Sequence, residues 1–338
     1  MDQNPSRRTI VAALATVAAG QYARAAAEDS FYRGKRLTLI VGFAPGGGVD
    51  TDSRIISRHL PRFLPGAPSI LVQNMEGAAG IIAANYLSRV APDGLTISIP
   101  GRSWFVEGAI GTGGTRFDPA KFSYIGSPGA VNSVVYVRAA TGIRNFDELK
   151  AAKKPVVFGA LGNLTPTAMV PLMLASHGLP VRVVAGYVSS ARIIVALEQG
   201  EVDGYFTVES TFGLREELVG KKLIVPILQN TQVHPGLPLV RDVLPRSDLP
   251  LLTVVMAMET FGLPLIGPPN ILPPRLAELR RAFMAMCADR EYRADATKVG
   301  LPVDAAISGD RLAMMMRELI QAATPQVVAR YKALGGAT

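Results

Sequence analysis

Short apolar runs alternate along the chain with longer segments whose apolar residues recur at helical spacing. The runs at 37–41, 70–72, 95–99, 133–137, 156–158, 181–184, 203–206 and 223–227 are strand-length and rich in β-branched residues. Between them, sets such as Ile55, Ile56, Leu60 and Phe63 mark helices. Strand and helix in alternation predict an α/β architecture with largely parallel sheets. Past residue 270 the pattern turns helical, at about 274–287, 291–299, 309–322 and 325–333, with no strands to match. The C-terminal part is therefore expected to fold back onto the first unit. Segments near 127–135 and 250–258 are expected as strands crossing between two lobes, and a proline-bearing stretch from about 229 to 250 as a surface connection.

The two lobes expected on this pattern are 28–127 plus 256–338 for the first and 128–255 for the second. Residues 1–27 stand apart and read as an export signal. Ser6-Arg7-Arg8 is a basic start, Ile10 to Gly20 a short apolar run, and Ala23-Arg24-Ala25 and Ala25-Ala26-Ala27 are small-x-small cleavage sites. That run is too short to span a bilayer, which takes about 20 residues. The expected destination is the periplasm.

Loss of that segment removes Arg7, Arg8, Arg24 and Asp2 and lowers the net charge from +8 to about +6. The remaining basic residues come as scattered pairs such as Lys153-Lys154 and Arg280-Arg281, with no basic stripe interleaved with aromatics, so no nucleic acid is expected as a partner. Cys287 is the single cysteine and lies in a helical run with Phe283, Met284 and Met286, where it reads as a core thiol. The fold must rest on packing rather than on disulfides.

Candidate chemistry begins where the first strand ends. Phe43-Ala44-Pro45-Gly46-Gly47-Gly48-Val49-Asp50 leads from that strand into a helix. Amides at a helix start, with the positive end of its dipole, suit a carboxylate or phosphate. A plain tight turn fits the same residues, with Asp50 as helix cap. No Lys-Ser/Thr follows the glycines and no G-x-G-x-x-G is present, so nucleotide binding is not expected. The second half repeats the grammar: Val156-Val157-Phe158, then Gly159 to Thr167, with Thr165 as cap and Pro166 at the first helical position. His59, His177 and His234 have no nucleophile elbow or metal-ligand spacing near them, and G-x-S-x-G, H-E-x-x-H and C-x-x-C are absent. The chain is expected not to be an enzyme and to use neither cofactor nor metal.

The same residues carry a resemblance to a known family. Phe43–Asp50 resembles the signature of the Bug receptors, periplasmic substrate-binding proteins of tripartite tricarboxylate transporters. Asn74–Gly80, Ala91-Pro92-Asp93-Gly94, Phe146-Asp147-Glu148-Leu149, Gly159–Thr165, Gly186-Tyr187 and Leu197–Asp203 match in the same order. The resemblance implies a two-lobed, flytrap-like periplasmic binding protein, monomeric, that closes a cleft on a small organic carboxylate and presents it to membrane transporter subunits. It places Phe43, Ala44, Pro45, Gly46 and Gly47 on one side of the ligand, with Gly80 and Ser103, and Gly159, Gly162, Asn163 and Thr165 on the other. Trp104, Tyr187 and Glu209 are further candidates, each with a packing alternative.

The chain also departs from the family pattern. Ala160 and Leu161 stand where serines are usual, Val188-Ser189-Ser190 replaces Lys-Gly-Gly, and Glu209 falls near the usual Asp-Asn. With Trp104, these changes imply a less polar tail on the ligand. Competing readings are a hydrolase or lyase on the same architecture and a receptor feeding a signalling partner. Stoichiometric binding without product separates the first from a transport receptor.

Overall fold

The computed structural model describes residues 31–111, 114–209, 218, 222–232 and 234–336. The export-signal reading of 1–27 lies outside them. Among the described residues eleven strands carry the architecture: β1 (Arg36–Val41), β2 (Ser69–Asn74), β3 (Thr96–Ile99), β4 (Ser123–Ser127), β5 (Ser133–Arg138), β6 (Val156–Ala160), β7 (Val181–Ala185), β8 (Gly204–Val208), β9 (Ile224–Gln229), β10 (Leu265–Gly267) and the short β11 (Ile307–Ser308). The chain divides into two compact units. One holds the residues up to Gly101 with Lys121–Gly126 and Leu265–Leu301; the other holds Arg102–Ala120, Ser127–Pro264 and Pro302–Thr338. Among the described residues, no helix is long and apolar enough to cross a membrane.

In the first unit β1 lies between β2 and β3, parallel to both, and β10 joins antiparallel between β3 and β4. β1 is buried on both faces at Leu37, Leu39, Ile40 and Val41, as its unbroken apolar run requires. Parallel order brings the carboxyl ends of β1, β2 and β3 to one edge, where loops can gather a site.

The second unit is a five-stranded sheet in the order β7-β6-β8-β5-β9. β6 runs parallel to β7 and β8, and β5 runs antiparallel to β8 and β9. The ends of β6, β7, β8 and β9 therefore share an edge with the start of β5. A core of Val134, Tyr136, Ile193, Leu197, Tyr205 and Ile224 lies against the sheet, and Leu161 and Tyr187 pack onto it.

One sequence expectation fails. The apolar stretch expected as a crossing strand near 250–258 is a helix, Leu249–Thr260. It is apolar on every side, so periodicity cannot tell it from a buried strand. Its length and Pro250 in its first turn favour the helix. A further helix, Trp104–Ile110, follows β3. Trp104 is fully buried, edge-on to Phe105 and Phe117 at 5.6 and 5.7 Å, and Phe105 stacks on Phe261 at 4.4 Å. Cys287 is buried and free, its thiol pushed up to about 12 by that burial, as befits a core residue.

Asp248, just before the 249–260 helix, is a buried junction. Its carboxylate faces His177 at 2.6 Å and takes a bidentate pair from Arg330 at 2.6 and 2.8 Å. Burial pushes its pKa upward, but the hydrogen bonds from His177 and Arg330 outweigh that and hold it below the usual range. Arg330→Ala leaves a buried carboxylate half-paired and should cost about 3 kcal/mol. The check is the urea midpoint, with Asp248→Asn added to the same chain recovering part of the loss.

Candidate functional site

In the first unit, β1 ends at Val41 and the chain turns through Gly42–Gly47 into a twelve-residue helix, Gly48–His59. Ala44 to Gly48 are exposed. Behind them Asp50, only 2% exposed, organises the turn. One carboxylate oxygen accepts from the Gly46 amide at 2.9 Å and from Arg54 Nε at 2.7 Å. The other accepts from Asn74 Nδ2 at 2.8 Å, and the same amide group donates to Phe43 O, also at 2.8 Å. Asp50 is thus a clamp on the loop rather than the expected helix cap: it is the third residue of the helix, and the N-cap is Gly47, whose position no side chain caps.

The clamp decides which amides face solvent. Gly46 N–H is engaged by Asp50, so Gly46 contributes its left-handed conformation, φ +82°, rather than a donor. Gly47 is the N-cap, and Gly48 and Val49 are the first helical residues, whose amides the helix itself cannot pair. Among the described residues those three amides have no intramolecular acceptor. Three N–H groups at the positive end of a helix dipole are an arrangement whose polarity suits an anion.

Glycines behind the loop serve close packing. A Cβ at Gly42 or Gly80 would fall 2.2 or 1.9 Å from Pro100 O, and one at Gly101 would fall 2.3 Å from the Phe43 ring. The strand ends and the 78–80 turn therefore pack onto one another through bare backbone. Gly80, a candidate on sequence, is part of that floor.

In the second unit β6 ends at Ala160, and Leu161–Thr165 leads into the helix Pro166–Ser176. Thr165 is its N-cap with Pro166 at the first position, as the sequence implies, yet the Thr165 hydroxyl does not cap. It donates to Gly162 O at 2.7 Å and shares a 2.6 Å bond with Thr167 Oγ1, and the Thr167 oxygen accepts from Leu161 N–H at 3.1 Å. Tyr331, on the C-terminal helix Pro325–Leu334, donates to Leu164 O at 2.6 Å. Among the described residues, the amides of Gly162, Asn163 and Leu164 have no intramolecular acceptor, and the last two residues are exposed.

The other second-unit candidates lie along the same sheet or just beside it. Gly159 is a buried mid-strand position where a Cβ would meet Ile193 at 2.7 Å. Tyr187 follows β7, its amide bonded to Ala160 O at 3.2 Å and its ring half-buried. Ser189 caps the helix Ser190–Gln199 by accepting from Arg192 N–H. Glu209 follows β8 and faces His234 Nε2 at 2.5 Å, with Asn132 Nδ2 donating to it at 2.8 Å. Ser103 and Trp104 fall in this unit too, Trp104 with its ring buried as described above. Sequence reasoning missed Asn74, Asn132, His234 and Tyr331. Asn74 had a usable signal, a polar amide closing a strand at the carboxyl edge.

The three hydrogen bonds to Asp50, with the one from Arg54 foremost, hold its carboxyl at about 2 against a usual 3.8. Its contribution is therefore present above the unfolded value and lost as pH falls from about 4 toward 2. Asp50→Asn should cost about 1–2 kcal/mol at pH 7, discounted because Arg54 is half-exposed. Urea midpoints of the two proteins should differ at pH 7, draw together as pH falls below about 4, and still differ slightly until pH drops below about 2.

No family model matches the chain. A curated relative, the UPF0065 protein in the tcbD-tcbE intergenic region of Pseudomonas sp. (strain P51), is 26% identical over 286 residues, 83% of each chain. Protein BugT of Bordetella pertussis is 36% identical over 72 residues, 21% of this chain and 22% of that one. A TctC solute binding protein from Polaromonas superposes with a TM-score of 0.70 at 16% identity, over 91% of this chain and 100% of the other. An R. palustris protein solved with adipate gives 0.54 at 18% identity, over 90% and 98%. The fold is thus that of the two-lobed periplasmic binding proteins, and the chain is similar over most of its length to a UPF0065 protein and over about a fifth of it to a Bug protein.

Proposed function

We propose that this chain is a periplasmic solute-binding receptor that captures a small organic carboxylate and hands it to a membrane transporter of the tripartite tricarboxylate type. One observation carries the reading. Each unit ends a central strand in a glycine-bearing loop, and each loop exposes a run of unpaired amides at or beside a helix N-terminus: Gly47 to Val49 in the first, Gly162 to Leu164 in the second. Main-chain donors bind a carboxylate without burying a cation that would stand unpaired when the site is empty. The adipate held by the R. palustris neighbour is a ligand of that class.

The second loop also shapes ligand preference. Ala160 and Leu161 contribute no hydroxyl, and Leu164 and Val188 are exposed at 36% and 88%. A carboxylate with an aliphatic or aromatic body fits such a surface better than a small, highly polar acid. Glu209 does not oppose an anion as a bare charge, because His234 and Asn132 already engage it.

Gly47 is the position for a decisive variant. Its φ of −77° is open to any residue, and a Cβ there meets nothing nearer than Ala44 O at 3.6 Å. Gly47→Trp should fold normally and cover the three amides. Calorimetry against mono-, di-, tri- and aromatic carboxylates should give one-to-one binding for the native chain and at least a 100-fold loss for Gly47→Trp. Unchanged affinity in the variant would remove the loop from the site. Tight binding confined to acids such as citrate would sink the preference for an apolar body.

A further inference from the structure

A cavity lies wholly within the second unit, and no residue of the two glycine loops lines it. It measures about 360 Å³ and opens where the 249–260 helix meets the helix Gly309–Ala322 and the short turn Val240–Val243. That size falls within the range of small-ligand pockets. Much of its wall is apolar: Val240, Leu252, Met256 and Phe261 are buried there and Met315 is half-buried, while Asn230 lines it with a carboxamide already accepting from Ser133 N–H at 2.6 Å and donating to Val131 O at 3.3 Å. Two methionines give a wall that adapts to an occupant's shape. Thr253 and Thr260 place no unsatisfied hydroxyl in it, since each bonds back to a carbonyl of its own helix, Leu249 O and Met256 O.

Charge sits at the cavity's edge and leans positive. Arg241, Arg311 and Glu318 are its charged residues, and all three are exposed. Arg311 faces Glu318 at 3.1 Å with both side chains half-exposed, and Arg241 faces its neighbour Asp242 at 3.7 Å with both side chains mostly exposed. Exposed pairs of this kind are worth about 0–1 kcal/mol, so either guanidinium can turn to a better partner. An apolar chamber with two loosely held guanidinium groups at its edge matches one chemistry, an apolar body ending in a single carboxylate.

We propose that this cavity is a second small-molecule site, taking an amphipathic monocarboxylate whose apolar body lies between Leu252, Met256 and Met315 and whose carboxylate meets Arg241 and Arg311. Occupancy has a built-in reporter. Phe261 lines the cavity and stacks on Phe105, which touches Trp104, the single tryptophan of the chain.

The test uses sodium octanoate, with octanamide as its uncharged counterpart. In calorimetry the native chain should bind octanoate saturably, one to one, with a change in Trp104 emission, and should bind octanamide about 3- to 10-fold more weakly. Thr253→Trp, a plug at an exposed position, should reduce octanoate affinity at least 10-fold. Arg241→Ala should erase the preference of octanoate over octanamide. Gly47→Trp should leave octanoate binding unchanged, which keeps this site distinct from the loops whatever the loops bind. The proposal is overturned if octanoate shows no saturable binding up to millimolar concentration. It is equally overturned if binding survives Thr253→Trp, if Arg241→Ala leaves the preference intact, or if Gly47→Trp abolishes binding.

Discussion

A main-chain binding site works only if the backbone that offers the donors is held still, and in the first unit one buried carboxylate does the holding. Asp50 accepts from Gly46, Arg54 and Asn74, and Asn74 reaches on to Phe43 O. Four groups from the strand end, the loop, the helix and the neighbouring strand are thereby fixed relative to one another. An ionised carboxylate can do this because its acceptor sites point in several directions at once. It also takes one amide out of play, so the solvent-facing donors begin at Gly47 rather than Gly46. The clamp and the open amides thus share the helix start between them.

The second unit solves the same problem without charge. Thr165 and Thr167 pass a hydrogen bond across the turn to Leu161 and Gly162, and Tyr331 pins Leu164 from a helix more than 150 residues away. Neutral hydroxyls rigidify the loop with no carboxylate beside the open amides. The same helix end lies close to the loop, since a Cβ at its C-cap Gly335 would fall 2.3 Å from the Leu164 side chain. The two loops look alike as sequence and are built from different chemistry.

How far the sequence disclosed this follows from the range of each interaction. Strand runs, the glycine turn, Thr165 with Pro166, and the Ser189 cap are readable because each depends on residues within a few positions. The 249–260 helix was misread as a strand because its residues are apolar all round, which removes the periodic signal. Trp104 left two readings open; only packing against Phe105 and Phe117 shows how its ring is buried. Asn74 and Tyr331 act on loops far away in sequence, where no local pattern points to them.

Glu209 shows how the surroundings of a charge, more than its presence, decide what it does at a site. Read alone, a carboxylate close to an anion-binding loop argues against an anionic ligand. In the fold it faces His234 at 2.5 Å, and Asn132, itself bonded from Thr231, donates to it. With Asn132 donating to it and His234 beside it, this carboxylate is held in place by its neighbours rather than standing bare. Under the proposed function, recognition in this unit falls to the amides of Gly162 to Leu164 and to the apolar side chains beside them. On that proposal the ligand's body, more than the count of its charges, sets preference.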